Sequence, residues 1–594
     1  NTAVAWSVQE ASGGAVDGSG LYTAPATPGT YHVKATSAAD TSKSATVAVT
    51  VTAAPPVVAV SINPEALSVQ PGKTQQFTAT VTGSTNTAVA WSVQEASGGA
   101  VDGSGLYTAP ATPGTYHVKA TSAADTSKSA TADVYRWLDS NQKQRTAVLT
   151  RNDASDPGGS HGGMLRQYRY FPGGGSAERV VTGTGASGLW NGWGYLVNHY
   201  SPGDSSEQSL GHAGQYRLAF TGRHHALHEF TWTYPILGVS IKATVHWFMA
   251  TGQDHPVYAV TYDTSAAGPS GFDASHLIDS RSPYGDLQFG GDGSNPNVDG
   301  VGWGDHYKFF TRDEPFTAQS RWDYSQPNTV PYVIEYIKNP DAEMGSVQTQ
   351  SWLQHNTGGT WFTNNWGLTS DNPAGEFGAW RMPANWNWPY QLNQYELGDS
   401  GPTTSKRLAW GLMYGAVGQL STFGYGYQTT IVGHPYQSYS VHMVLGRHSD
   451  STVAGQTIQV ERKLGATLTA SQGTVITQGP GGVGRTDPVA YDKPGYNPIY
   501  GAFELAADAT GAFQATLNAA AGDIKNPLFI VRGMGALPTQ ITLGGRTLVA
   551  DQDYFASYET TTHRLWLTLN LNWSGSQSLG SNATGAPSPD IQTP

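Results

Sequence analysis

The chain has 594 residues with a formal net charge of −12, and 38% of them are hydrophobic. That length is too great for one hydrophobic core, so several domains are expected. The absence of cysteine excludes disulfides and cysteine nucleophiles. The excess of acidic residues argues against nucleic acid as a partner. The sequence contains no run of about 18 apolar residues, so it predicts no membrane span.

The first part of the chain contains an internal repeat. Residues 1–46 recur without change as residues 86–131, and exact repetition is typical of a tandem array. Alternating apolar segments such as TAVAWSV and GTYHVKATS, bounded by Gly and Pro, predict antiparallel strands. We therefore predict a partial repeat over residues 1–54, which implies that the chain starts within a repeat, and a fuller repeat over residues 55–134.

The fuller copy contains the segments VVAVSINP, GKTQQFTA, VAWSV, GLYTAP and GTYHVKA in this order. This series resembles bacterial Ig-like domains of the Big_2 type. The resemblance implies a β-sandwich with Trp91 and Tyr116 in its core. It also implies a bacterial protein that is secreted or on the cell surface, where such repeats act as spacers and attach further modules.

From residue 135 onward the patterning predicts one large antiparallel β domain, the predicted catalytic domain, to about residue 480. Its clearest part predicts four strands in a meander, near residues 215–221, 225–234, 238–250 and 256–263, with a turn at Thr251-Gly-Gln-Asp. This stretch resembles galactose-mutarotase-like supersandwich domains of carbohydrate-active enzymes. A small β module over residues 481–575 and a flexible Ser/Gly/Pro-rich tail over residues 576–594 complete an all-β prediction.

Aromatic and amide side chains are concentrated between residues 303 and 396, where eight tryptophans lie. A sugar ring offers an apolar face and a rim of hydroxyls, so a binding site for it combines flat aromatic platforms with placed polar groups. The alternative is that these tryptophans fill a β core. The predicted substrate-binding residues are Trp303, Tyr307, Trp361, Trp366, Trp386, Asn387, Trp388 and Tyr390.

Carboxylates lie close to these aromatic residues in the sequence. Glycoside hydrolysis usually needs two of them, one as acid and one as base or nucleophile. Asp305 is the first choice because it lies in a Gly-bounded turn beside Trp303, and the further catalytic candidates are Asp286, Asp313 and Glu314. For each of them the alternative is a turn cap or a solvated charge.

One loop has the spacing of a calcium site, in the segment DGSNPNVDG. Hard oxygen ligands at alternating positions can hold Ca²⁺, although the Glu of an EF-hand loop is missing. The alternative is an Asx turn, and no other cofactor is required. The predicted ligands are Asp292, Asn295, Asn297 and Asp299.

The sequence leaves three functions open. The first is a glycoside hydrolase that acts on a neutral or weakly charged polysaccharide. The second is a polysaccharide lyase, in which a Tyr or His base works with Arg or calcium. The third is a non-catalytic polysaccharide-binding protein or adhesin. The candidates for the lyase chemistry are Tyr195, His199, Arg223, His224, His225 and Arg321.

The histidine-rich segment RHHALHEF, residues 223–230, allows a metal site or a base, but a structural role is the alternative. If the segment is a strand, His228 shares a face with Phe230 and Trp232, while His225 and Glu229 share the other. One face would then belong to a core.

Overall fold

The structure is a computed structural model of the chain. Its described residues form an all-β fold with one α-helix, and this confirms the predicted fold class. The description covers residues 3–585 apart from residues 53–57, 64–73, 111–115, 150–162, 164, 183–192, 202–204, 209–213, 237–238, 264, 268–276, 288–298, 305–308, 312–329, 331, 340, 350–389, 393–407, 415–435, 487 and 492.

The two repeats form the first part of the molecule. In the first repeat, one sheet has the order β1-β4-β5 and a separate hairpin joins β2 to β3. The strands of the two repeats are β1 (Val4–Val8), β2 (Ala15–Val16), β3 (Tyr22–Thr23), β4 (Gly29–Ser37), β5 (Ser44–Val51), β6 (Ala59–Asn63), β7 (Thr74–Gln76), β8 (Thr78–Thr82), β9 (Val89–Val93), β10 (Ala100–Val101), β11 (Leu106–Thr108), β12 (Tyr116–Ser122) and β13 (Ser129–Leu138).

The second repeat has its own core, in which Phe77, Tyr107 and Val118 are buried and Trp91 packs against them. Strand β13 then leads out of this repeat. Its first part pairs with β12 and its last four residues, Tyr135 to Leu138, pair with the next strand of the chain. One continuous strand therefore joins the repeat to the large β domain.

The large β domain follows. Its strands are β14 (Gln144–Leu149), β15 (Leu165–Tyr170), β16 (Arg179–Thr182), β17 (Trp193–Ser201), β18 (Ser205–Gln208), β19 (Gly214–Thr221), β20 (His225–Ile236), β21 (Val239–Ala250), β22 (Val257–Asp263), β23 (Leu277–Leu287), β24 (Gly300–Gly304), β25 (Phe309–Thr311), β26 (Tyr332–Lys338), β27 (Asp341–Gln348), β28 (Tyr390–Leu392), β29 (Leu408–Tyr414) and β30 (Tyr436–Gly446).

These strands form two wide sheets. One has nine strands in the order β19-β20-β21-β22-β30-β27-β26-β24-β25, and the other runs β28-β29-β23-β17-β15-β14-β13 and continues into the second repeat. The meander β19 to β22 lies within two residues of the predicted bounds. It was predictable because the sequence contains long strand-forming segments that are separated by short turns.

The C-terminal part contains the helix and two smaller sheets. One sheet has the order β31-β37-β43-β39-β40 and the other has the path β32-β36-β38-β42-β41. The elements are α1 (Thr452–Gly465), β31 (Thr467–Gln472), β32 (Thr474–Val475), β33 (Gln478–Pro480), β34 (Pro488–Ala490), β35 (Tyr496–Asn497), β36 (Ala502–Ala506), β37 (Gln514–Lys525), β38 (Leu528–Arg532), β39 (Ile541–Leu543), β40 (Arg546–Thr547), β41 (Tyr554–Glu559), β42 (Arg564–Leu569) and β43 (Asn572–Ser581).

The nine-stranded sheet is the middle layer of the molecule. On one face the indole of Trp247 donates a hydrogen bond of 2.6 Å to the carbonyl of Gly163, just before β15 of the other wide sheet. On the opposite face Leu227 and Phe248 pack with Leu528 and Trp566 of the C-terminal part. Both faces are therefore covered there, which is why consecutive residues are buried over residues 225–228 of β20 and residues 243–250 of β21.

The domain bounds stay predictions, but the pairing of strands is informative at three of them. The bound between residues 575 and 576 falls inside β43, whose residues 576–580 pair with β37 and so do not belong to a flexible tail. The bound between residues 134 and 135 falls inside β13, which serves both sides. The bound between residues 480 and 481 falls in the hairpin of β33 and β34. Strand β31, before that hairpin, already pairs with β37 of the C-terminal part.

Candidate functional site

Most of the residues predicted to bind or cleave a polysaccharide lie outside the described part of the chain. The backbone alone is described for Asp286 on β23, Trp303 on β24 and Tyr390 on β28. The predicted residues outside the description are Asp305, Tyr307, Asp313, Glu314, Trp361, Trp366, Trp386, Asn387 and Trp388. Their assignment stays a prediction.

The strands on either side of the aromatic-rich segment belong to different sheets. Strand β27, before residues 350–389, lies in the nine-stranded sheet, whereas β28 and β29, after it, lie in the other wide sheet. Asp286 pairs with Ala409 of β29, and Tyr390 pairs with Leu412 of the same strand. The chain therefore passes from one wide sheet to the other through this segment, and two predicted site residues lie near its far end.

Asp299 is the one predicted calcium ligand that the structure describes. Its backbone N–H donates to the carbonyl of Tyr336, and its carboxylate accepts a hydrogen bond from the backbone N–H of Lys338. The carboxylate thus caps the end of β26. The other three predicted ligands, Asp292, Asn295 and Asn297, lie outside the described residues, so the calcium site stays a prediction; within the described ranges no cluster of three His, Asp or Glu could hold a metal.

The histidine-rich segment contacts the C-terminal part of the chain. His225 is 2% exposed and hydrogen-bonds Ser557 Oγ through Nδ1 and Thr568 Oγ1 through Nε2, each at 3.0 Å. Asp551 accepts from Arg223 at 2.9 Å and is 2.7 Å from His224 Nε2. Arg223, His224 and His225, which are candidates for lyase chemistry, therefore connect the nine-stranded sheet to the C-terminal part of the chain.

The faces of β20 agree with the alternation expected from the sequence. His228, Phe230 and Trp232 are buried on one face, and the ring of His228 lies parallel to that of Tyr216. His224 lies outside this alternation because it precedes the strand, which begins at His225. A base must reach a substrate, so the burial of His225 argues against that role.

A polar chain lies beside this segment. Glu229 is bound by Arg217 at 2.6 Å and by His246 Nε2 at 2.8 Å, and His246 Nδ1 hydrogen-bonds the hydroxyl of Tyr500 at 3.0 Å. Burial alone would raise the pKa of Glu229, but the hydrogen bonds from His246 and Arg217 outweigh it and lower this pKa to about 2. The carboxylate of Glu229 is therefore ionised. It fixes His246, which in turn holds the hydroxyl of Tyr500.

A small cavity lies where the layers of the molecule meet, and we call it the junction cavity. It has a volume of about 30 Å³. The turn between β21 and β22, strand β30, helix α1 and the end of β37 line it. The lining residues are Gly252, Gln253, Asp254, His255, His442, Gln456, Gln459, Lys463, Lys525 and Asn526.

Hydrogen bonds fix the turn that forms one wall of the junction cavity. Gln253 donates through its side-chain amide to the carbonyl of Asn526 at 2.5 Å, and Asn526 donates back to the carbonyl of Gly252 at 2.8 Å. The indole of Trp137 donates to the carbonyl of Gln253 at 2.9 Å. The wall is therefore held from two sides, by the end of β13 and by the end of β37.

Three ionisable groups of the junction cavity are buried. Lys463 is 3% exposed, and its Nζ donates to the carbonyl of Gly501 at 3.1 Å. Burial lowers the pKa of Lys463 to about 8. Burial also lowers the pKa of His255 to about 3 and that of His442 well below its ordinary value. At neutral pH the lysine is mainly charged and both imidazoles are neutral.

Some polar atoms of this cluster have no partner among the described residues. Both ring nitrogens of His442 and Nδ1 of His255 are buried without a hydrogen bond there. Buried polar atoms are nearly always hydrogen-bonded, because leaving one unsatisfied costs about 1–3 kcal/mol. These unsatisfied imidazole nitrogens therefore indicate that the junction cavity can bind a small polar ligand.

The carboxylate of Asp254 is already engaged. It accepts from the backbone N–H of Ser140 at 2.8 Å and from Lys525 Nζ at 3.0 Å. Burial alone would raise the pKa of Asp254, but Arg145 and Lys525 outweigh it and hold this pKa below the usual range. Two ammonium groups, one carboxylate and neutral imidazoles give the described residues of the lining one net positive charge.

The size of the junction cavity decides what it can do. Sites for drug-sized ligands measure roughly 300–1,000 Å³, whereas about 30 Å³ admits one or two water-sized groups. A sugar ring does not fit, so this is not the site of polysaccharide cleavage. No sequence motif could reveal the cluster, because His255, His442 and Lys463 are distant in the chain and meet only through the sheet and the helix.

Comparison with known families identifies one part of the chain. Residues 56–134 match the bacterial Ig-like domain (group 2). This confirms the Big_2 resemblance of the second repeat. The sequence and the strands together define a modular all-β protein that carries a bacterial Ig-like domain.

Two solved structures have a remote likeness to the chain. None of the curated protein sequences compared with the chain matches it. An α-mannosidase structure from Enterococcus faecalis V583 aligns with a TM-score of 0.26 at 8% identity, over 66% of this chain and 38% of that one. A glycosyl hydrolase family 38 protein from Enterococcus faecalis aligns with a TM-score of 0.28 at 8% identity, over 82% and 50%. The chain spans half or less of their length, and similarity this low says nothing of its activity.

Proposed function

We propose that the chain is a secreted polysaccharide-degrading enzyme, and specifically a glycoside hydrolase that acts on a neutral or weakly charged polysaccharide. The supporting observation is the aromatic- and amide-rich segment between residues 303 and 396, which joins the two wide sheets. Tryptophan faces suit the apolar faces of sugar rings, and amides suit their hydroxyls. The combination serves a glycan better than an acidic or phosphorylated ligand.

In this proposal two carboxylates perform the chemistry. Asp305 acts as one of the pair, and its partner is among Asp286, Asp313 and Glu314. One carboxylic acid protonates the glycosidic oxygen while the other carboxylate activates water or attacks the sugar. Trp303, Tyr307 and the other predicted aromatic residues hold the sugar chain, and no metal is required.

The arrangement of domains supports an enzyme over a simple binding module. The β region from residue 135 is larger than a binding module usually needs, since domains of about 100–150 residues are typical. The Ig-like repeats then act as spacers that hold the catalytic part away from a cell surface or polymer. A non-catalytic adhesin is the alternative that the same arrangement permits.

The proposal is tested by product analysis of the purified chain on a panel of neutral and uronate polysaccharides. Reducing ends and absorbance near 235 nm are measured together. Reducing ends alone indicate hydrolysis, whereas both signals together indicate a lyase and redirect attention to Tyr195, His199 and Arg321. Binding without either signal contradicts an enzyme and favours the adhesin.

If hydrolysis is found, we expect Asp305→Asn to lower the rate at least about 100-fold, because an amide cannot transfer the proton. The matched control is Asp523→Asn, which removes an exposed carboxylate outside the predicted site. Equal rates for Asp305→Asn and the control would exclude Asp305 and leave the other three carboxylates as the candidates.

A further inference from the structure

We propose that the junction cavity binds one small monovalent anion, of the size of a chloride ion or a single carboxylate group. The cavity measures about 30 Å³ and is lined by Lys463, His442 and His255. None of the described residues on its lining belongs to the predicted polysaccharide site, and the inference does not depend on the proposed function.

The donors of the junction cavity suit an anion. An ammonium group has three N–H donors, and Lys463 uses one of them on the carbonyl of Gly501. A neutral imidazole offers one N–H, and neither nitrogen of His442 has a partner among the described residues. An anion in contact with Lys463 and His442 would supply the missing acceptor to both.

The charge of the lining excludes a cation as the ligand of the junction cavity. Among the described residues of the lining, Asp254 has the one carboxylate, and it already accepts hydrogen bonds from Ser140 and Lys525. Lys463 and Lys525 leave one net positive charge, which repels a metal ion and attracts an anion. Burial strengthens this attraction because the surroundings are less polar than water.

Size restricts the anion to a compact one. A volume of about 30 Å³ holds one or two water-sized groups. Chloride fills the space of one such group, and the two oxygens of a carboxylate fill the space of two. A phosphate or sulfate with four oxygens exceeds this space.

Proton linkage makes the affinity depend on pH. Burial lowers the pKa of Lys463 to about 8, and an anion held beside the ammonium group raises this pKa by stabilising the charged form. The affinity is therefore full below pH 8 and is lost above it. The other ionisable groups among the described residues of the lining are His442, His255, Asp254 and Lys525. Burial keeps the two imidazoles neutral near pH 7. Lys463 therefore governs the change of affinity with pH.

The test is thermal unfolding of the full chain at pH 7 in sodium chloride, sodium acetate or sodium methanesulfonate at equal ionic strength. Methanesulfonate is the reference because its three sulfonate oxygens exceed the cavity. We expect chloride or acetate to raise Tm by about 2–4 °C in a saturating manner, with a smaller rise at pH 9.5. The more effective salt shows whether a halide or a carboxylate is the better ligand, and identical Tm values in all three salts would overturn the proposal.

Variants make the test specific. Lys463→Met keeps the length of the side chain without its charge, and we expect it to abolish the anion-dependent rise in Tm. Lys493→Met is the control, since Lys493 is partly buried but does not line the junction cavity. A Lys463→Met chain that keeps the rise would contradict the site.

A second measurement does not depend on the variant's folding. Crystals of the unmodified chain soaked in sodium bromide should show an anomalous peak inside the junction cavity, in contact with Lys463 Nζ. Density for water alone in the cavity, with no anomalous signal, would overturn the proposal.

Discussion

Buried histidines are the residues whose chemistry the fold changes most. His225, His255 and His442 are all at most 7% exposed. Burial lowers the pKa of each of them, because an imidazolium ion is poorly solvated inside the protein. All three lie where the middle sheet meets the C-terminal part, so protonation there opposes the contact between layers.

Acid should destabilise the chain through these residues. His255 has a folded-state pKa of about 3, against about 6.5 when unfolded. Between these values the unfolded state binds more protons, so the stability that His255 contributes above pH 6.5 is lost as the pH falls toward 3. We expect a loss of up to about 1.4 kcal/mol per pH unit for this histidine.

The measurement is urea denaturation between pH 7.5 and 5. We expect His255→Gln to reduce the slope of unfolding free energy against pH in this range. His32→Gln serves as the control, because the side chain of His32 is 42% exposed and belongs to the first repeat. Equal slopes in His255→Gln and the unmodified chain would show that His255 does not titrate as expected.

At the scale of elements, the turn between β21 and β22 depends on a glycine. Gly252 has φ of 90°, a conformation that other residues rarely adopt. A Cβ at this position would lie 2.8 Å from Thr568 Cγ2 and 3.2 Å from the ring of Phe555. The close approach of the C-terminal part and the backbone conformation both require glycine here.

We expect Gly252→Ala to lower the free energy of unfolding by about 1–3 kcal/mol, since strain and overlap add. Gly455→Ala provides the comparison. Gly455 is exposed within α1 and a Cβ there meets nothing within 4 Å, so alanine should stabilise the helix by about 0.5–1 kcal/mol. Urea denaturation followed by tryptophan fluorescence measures both, and a Gly252→Ala chain as stable as the unmodified one would contradict the packing described for the turn.

Helix α1 begins through a contact from another element. Ser451 precedes it with φ of 48° and makes no side-chain cap. Glu343 of β27 instead accepts a hydrogen bond of 2.8 Å from the backbone N–H of Val453 and contacts His448 Nδ1 at 2.8 Å. A carboxylate at a helix N-terminus satisfies a free N–H and favours the helix dipole.

At the scale of the whole molecule, the large β domain and the C-terminal part share their cores. One core combines Val347 and Val444 of the nine-stranded sheet with Phe529 and Leu567 of the C-terminal sheets. The other combines Leu227 and Phe248 with Leu528 and Trp566. Neither part can bury its apolar face without the other.

Truncation should therefore give opposite results at the two ends. Deleting residues 452–585 is expected to leave an insoluble chain, because it uncovers one face of the middle sheet. Deleting residues 1–52 is expected to shift the Tm of the remainder by less than about 1 °C, since β1 to β5 pair with one another. Solubility and calorimetry measure the outcomes, and a soluble, cooperatively melting chain without residues 452–585 would contradict the shared cores.

The sequence predicted those parts of the fold that local patterns control. The meander β19 to β22 and the second Ig-like repeat followed from alternation and turn residues. It did not predict α1, because the start of this helix depends on Glu343, more than a hundred positions away. It also did not predict the junction cavity, because each of its histidines and lysines is unremarkable in its own segment. The polysaccharide site remains a prediction from composition and spacing.

The two identical copies of the repeat show most clearly what the local sequence determines and what the tertiary structure determines. Tyr22 and Tyr107 each donate a 2.6 Å hydrogen bond to the carbonyl of the equivalent glycine, so the same local sequence makes the same local contact. Tyr107 is 2% exposed and belongs to a core, because its strand β11 pairs with β7 beside Phe77. Tyr22 is only half-buried, because among the described residues its strand β3 pairs only with β2. The sequence by itself determined strands, turns and nearby hydrogen bonds, while the tertiary structure alone decided burial, and with it the pKa values and the cavity, because burial depends on segments that the local sequence does not contain.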